Sequence, residues 1–127
     1  MNSHVQDGQD VRMTGELARR VMGWRTSPGR FIKANRSWTP TWKFQPLKKL
    51  EHAMNLLERA APQYFALEGD DKTEFRVKIQ IAGVIGEARG QSKPRTITYA
   101  IARAIGITVP PVVDGRKSNA ARQTEGA

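Results

Sequence analysis

Cysteine is absent from this chain of 127 residues, so no disulfide framework and no cysteine-ligated zinc site can hold it together. Histidine is nearly absent too. His4 and His52 stand far apart, with no metal-binding H-x-x-x-H spacing, so no metal is expected. No apolar run approaches the ~20 residues that a bilayer span needs. The segment Met1–Asp10 is polar, without the basic start and apolar centre of a secretion signal. These absences point to a cytoplasmic protein with no membrane partner. Its length suits one domain with a core that needs no covalent staple.

Catalytic patterns are missing as well. No serine or threonine has an evident His/Asp partnership. Asp70 and Asp71 are neighbours in a turn-like stretch, where turn chemistry accounts for them. Gly83-Val84-Ile85-Gly86 lacks the lysine and the strand-to-helix setting of a phosphate loop. The sequence therefore reads as a non-enzymatic protein without a cofactor.

The most informative absence is of acid. Between Leu17 and Leu50 there is no Asp or Glu, while nine basic residues stand there: Arg19, Arg20, Arg25, Arg30, Lys33, Arg36, Lys43, Lys48 and Lys49. Those nine charges equal the formal net charge of the whole chain, +9. The same stretch carries Trp24, Phe31, Trp38, Trp42 and Phe44. Cations neutralise phosphates and aromatic faces stack on unpaired bases, so this interleaving suits a polyanion, nucleic acid first among them. Within it Trp38 and Trp42, with the nine cations, are the candidate contacts. The alternative is that the aromatics are core and the charges a solvated surface. Arg95, Tyr99 and Arg103, spaced four apart on a helix, make a secondary candidate stripe facing outward.

Periodicity supplies the architecture. Residues 1–11 and 113–127 show no apolar period and read as disordered tails around a domain at 12–112. A first helix is expected over about Thr14–Met22, capped by Thr14, with Met13, Leu17 and Val21 on its buried stripe. Residues 23–46, punctuated by prolines, are read as irregular but packed, with short strands near 30–34 and 40–44. A second helix is expected over 47–61, burying Leu47, Leu50, Met54 and Leu57 and ending at Pro62.

The period then shortens to two. Tyr64–Glu68 reads as a strand, and 69–72 as a turn. Phe75, Val77, Ile79 and Ile81 alternate with Glu74, Arg76, Lys78 and Gln80, and Val84–Ala88 returns after Gly83. A third helix over 94–105 opens with Ser92 and Pro94, buries Ile97, Ala100, Ile101 and Ala104, and ends at Gly106. The expected class is α+β: three helices and a small antiparallel β-meander in a sandwich, in the order α-(β)-α-β-β-β-α.

Four of these pieces occur in the order found in small bacteriophage and prophage proteins. They are Glu16–Trp24 (ELARRVMGW), the aromatic-Gln-Pro-Leu at Phe44–Leu47, the meander, and Arg95–Gly106 (RTITYAIARAIG). The chain resembles the phage ABA sandwich domain over roughly residues 14–107. The resemblance implies a phage or prophage source and an α/β sandwich; it implies no activity and no site residues. Three functions are thereby in competition. One is an accessory protein binding nucleic acid through residues 19–49. Another is an inhibitor of a host defence or regulatory complex, which would place the same face on an acidic or nucleic-acid-binding host protein. The third is a nucleotide or small-molecule binder using the tryptophans.

Overall fold

In a computed structural model the described residues are 3–69 and 74–109, with side chains from Gly8 onward. The order is α1 (Ser3–Arg20), β1 (Arg25–Ser27), β2 (Arg30–Ile32), β3 (Trp38–Pro40), a single 3-10 turn (Thr41–Lys43), α2 (Leu50–Ala60), β4 (Tyr64–Gly69), β5 (Phe75–Ile81), β6 (Val84–Gly90) and α3 (Lys93–Ala104). The α+β class with three helices stands. The strands form two antiparallel sheets, β1-β2-β3 and β4-β5-β6.

The β4-β5-β6 meander follows the alternation of its sequence. Val77, Ile79 and Ala88 are buried, while Arg76, Lys78, Glu87 and Arg89 are exposed. The opposite face stays in water, and its charges neutralise one another. Arg76 meets Glu68 at 3.5 Å, Lys78 meets Glu87 at 3.9 Å and Arg89 meets Glu74 at 3.1 Å. The β5–β6 hairpin turns on Ala82 and Gly83, both at positive φ (51° and 83°), between the paired Ile81 and Val84. That is the two-residue turn whose twist matches the flanking strands. The expected turn at 69–72 lies mostly outside the described residues.

α3 is the hub. Ser92 caps it, its side chain accepting from the Arg95 N–H at 3.3 Å, and Pro94 occupies the first turn. All four residues expected to be buried are buried, and so are Thr96, Thr98, Tyr99 and Ala102. A helix covered nearly all round needs neighbours on several sides. β5 and β6 lie on one side and α2 on another. The Thr98 hydroxyl donates to the Pro46 carbonyl at 2.8 Å, tying in the segment before α2.

Three expectations need correction, the first being the strand near 40–44: Thr41–Lys43 is a 3-10 turn, and the strand ends at Pro40. The N-terminal segment 1–11 is not a tail over its described part: α1 is helical from Ser3, well before Thr14. The apolar period starts only at Met13, but Asp10 is buried against Arg95 of α3, with bonds of 2.9 and 2.8 Å to its two carboxylate oxygens. Among its described side chains, Asp10 ties this stretch to α3 by a long-range ion pair. The tail expected at 113–127 lies outside the described residues.

α2 is also shorter and rotated. It starts at Leu50, and Leu47 is buried from the preceding turn instead. The inward residues of the helix are Ala53, Leu56 and Leu57, whereas Leu50 and Met54 are 40% and 42% exposed. Both stripes have helical spacing, and only the position of α3 selects between them. Leu56→Ala is therefore expected to cost about 2–5 kcal/mol in urea unfolding. Leu50→Ala should cost less, about 1 kcal/mol, since 40% of Leu50 stays in water and the truncated side chain leaves no closed cavity.

Candidate functional site

The basic, acid-free segment folds into β1-β2-β3 and its flanks. Strand pairing aligns Arg25 with Ile32 and Ile32 with Trp38, and Ser27 with Arg30 and Arg30 with Pro40. Alternation puts Arg25, Arg30 and Trp38 on one face of this sheet and Thr26, Phe31 and Thr39 on the other. The inner face is core. Phe31 and Phe44 are buried and form a three-ring cluster with half-buried Trp24, with centroids 5.2–5.9 Å apart. The outer face is solvent-exposed: Trp38 is 56% exposed and Arg30 lies 5.1 Å over its ring.

The second exposed tryptophan, Trp42 (64%), sits on the 3-10 turn, where Lys43 lies 5.4 Å over its ring. The Gln45 side-chain amide donates to the Trp42 carbonyl, and the Gln45 N–H donates to His52 Nδ1 at 2.9 Å. These bonds moor the turn to α2. Such exposed cation–aromatic pairs contribute only about 0.5–1 kcal/mol each. They do not offset leaving two indole rings in water, so stability does not explain the placement.

The turn is a ridge between two hollows. On one side is an open groove of about 720 Å³ between α1 and the β1–β2 hairpin, lined by Arg12, Arg19, Trp42 and Lys48 and floored by Phe31, Phe44 and Leu47. On the other is a hollow of about 520 Å³ with Trp24, Lys33, Lys43, His52, Arg59 and one acid, Glu58, on its walls. Lys33 lies 5.3 Å over the Trp24 ring. Arg36 is exposed in the turn between β2 and β3, and Lys49 is exposed at the start of α2.

Of the nine cations only Arg19 has a carboxylate partner among the described residues, Glu16 at 2.6 Å. Arg20 donates to the Ile105 carbonyl at 2.6 Å, satisfying the end of α3, and so serves the fold. The remaining seven keep their charge turned to solvent or to an indole ring. This contrasts with the β4-β5-β6 face, where each cation has an acid.

The secondary stripe does not face outward as a unit. Tyr99 is buried, and its hydroxyl accepts from Arg95 at 3.0 Å. The hydrogen bond to Asp10 raises the Arg95 pKa further above its ordinary value, against the desolvation that lowers it. Arg103 donates to the Glu87 carbonyl at 2.6 Å, and partial desolvation lowers its pKa, with Tyr99 opposing. Arg95 and Tyr99 are turned inward against α1, whereas Arg103 stays exposed and is tied to β6 through the Glu87 carbonyl. The spacing was read correctly, but the side chains on that stripe point at neighbours that only the fold supplies.

Sequence reasoning missed Arg12 and Arg59. Arg12 lay next to a presumed tail, and Arg59 on α2 is 29 positions beyond Arg30 and outside the acid-free run. Among the described residues, no three His, Asp or Glu side chains gather as metal ligands, and no helix is long and apolar enough to cross a membrane.

No family model matches the chain, and no curated protein matches it in sequence. A solved structure does: the 2.0 Å crystal structure of a phage protein from Bacillus cereus ATCC 14579, with a TM-score of 0.64 at 15% identity. The superposition covers 80% of this chain and 91% of that one. At this identity the likeness is one of fold.

Proposed function

We propose that this protein is a small phage-type accessory protein that binds nucleic acid through the face built from residues 19–49, inside a bacterial host. The observation carrying the reading is the pairing of two exposed tryptophans with cations that lack acid partners among the described residues. Stacking on Trp38 and Trp42 would repay the exposure of their rings, and the phosphate chain would neutralise Arg25, Arg30, Arg36, Lys43, Lys48 and Lys49. The fold shared with a phage protein supports the phage setting.

A fluorescence-anisotropy titration with labelled oligonucleotides at two salt concentrations tests this. Affinity should fall as salt rises, with a log–log slope of about −2 to −4 if three to five phosphates are contacted. The double variant Arg25→Glu/Arg30→Glu should bind on the order of tenfold or more weakly and show a shallower slope, with unchanged unfolding. Both side chains are exposed and support no core contact. Failure to bind any oligonucleotide at low salt would refute the reading and direct attention to an acidic protein partner.

A further inference from the structure

We infer that the groove between α1 and the Trp42 turn receives an unpaired base of single-stranded nucleic acid, with the flanking phosphates on Arg12 and Lys48. The inference rests on the nucleic-acid reading and adds to it the strand type and the seat.

The groove's dimensions and chemistry carry the argument. Its volume of about 720 Å³ falls within the range of sites that hold small molecules, roughly 300–1,000 Å³. A base offers two flat apolar faces with polar edges, and the groove is lined by the exposed Trp42 ring, with the buried Phe31 and Phe44 beneath its surface. In a duplex those faces are occupied by neighbouring bases, so only an unpaired base can present one to Trp42.

Charge at the rim fits the same occupant. Two acids line the groove, and both are already neutralised: Glu16 by Arg19 at 2.6 Å and Asp10 by Arg95 at 2.8 Å. Arg12, on α1, and Lys48, just before α2, both line the groove and have no acid partner among the described residues. The rim therefore carries two unneutralised positive charges beside an apolar floor, as a base flanked by phosphates requires.

Gly15 is the second observation. It stands inside α1, where glycine costs about 1 kcal/mol relative to alanine. Packing does not demand it: its φ is not positive, and an added Cβ would meet only Thr26 Cγ2 at 4.0 Å, an ordinary contact. Gly15 lines the groove, and what its missing side chain does there is keep the wall open.

The test uses the full chain, a single-stranded oligonucleotide, the same length with abasic sites, and the matching duplex. The normal single strand is expected to bind about tenfold or more tightly than the abasic strand, and to quench tryptophan emission. Gly15→Leu should remove that tenfold preference while keeping salt-sensitive binding to all three. Leucine is a good helix former at this half-buried position, and circular dichroism verifies the fold. Should Gly15→Leu misfold, Trp42→Ala, at an exposed ring, makes the same comparison. Equal binding of normal and abasic strands, or a preference that both variants retain, overturns the inference and leaves the proposed function standing. No binding to any of the three overturns both.

Discussion

Gly86→Ala is expected to destabilise the fold by at least about 3 kcal/mol, and to disrupt the seating of α3 on the meander. On local grounds the change should help, because alanine loses less backbone entropy than glycine on folding, by roughly 0.4–1 kcal/mol. The sign is reversed by what lies opposite. A Cβ at Gly86 would overlap the Ala100 carbonyl oxygen and stand 2.5 Å from the Ala104 nitrogen and 3.0 Å from its Cβ. The first two are helix backbone atoms and the third is fixed to the backbone, so no rotamer change can move them aside. α3 would have to lift from β6, and Ile97 and Ile101, both fully buried, would lose packing with it. Urea unfolding at neutral pH measures the cost, and near-ultraviolet circular dichroism reports the looser packing. A variant as stable as the parent would mean that α3 does not approach β6 this closely.

The second large effect concerns a charge. Asp10→Asn should cost about 3 kcal/mol, because it leaves the Arg95 guanidinium in a partly buried site without its anion. The two side chains retain only 22% and 11% of their exposure, so water cannot substitute freely. The contact spans 85 positions and is what attaches the first half of α1 to α3. Loss of the pair should therefore also release the hydrogen-bonded amides of residues 7–10 to exchange ahead of global unfolding. Replacing both partners, Asp10→Asn with Arg95→Met, should recover part of the loss, since the uncompensated charge is then gone. Stability equal to the parent in the single variant would remove this pair as the anchor of α1.

Periodicity and cap chemistry made much of the second half legible. β5 could be read because alternation over seven residues leaves one choice of face. α3 could be read because Ser92, Pro94 and Gly106 mark its two ends. α2 was readable as a helix but not in phase. Leu50, Met54 and Leu57 form one valid stripe and Ala53, Leu56 and Leu57 another, and an alanine contributes little to any sequence pattern. α1 was half legible, because the part before Met13 has no apolar stripe to betray it. The three short strands between Arg25 and Pro40, each of three residues, are too short for alternation to register.

The same division runs through the candidate site. That positive charge gathers between Leu17 and Leu50 without an acid was determined by the sequence alone, because charge is a property of each residue. So was the chain's reliance on packing rather than on disulfides. Which aromatics serve the core and which face water was decided only by the tertiary structure. Phe31 and Phe44 turn inward with Trp24, while Trp38 and Trp42 stay outside, because strand pairing and the 3-10 turn set the direction of each ring. The fold likewise drew Tyr99 and most of Arg95 away from the surface, tied the exposed Arg103 to β6, and brought Arg12 to the groove. Burial and pairing are relations between elements distant in the chain, and no local pattern can contain the partner that a residue meets only after folding.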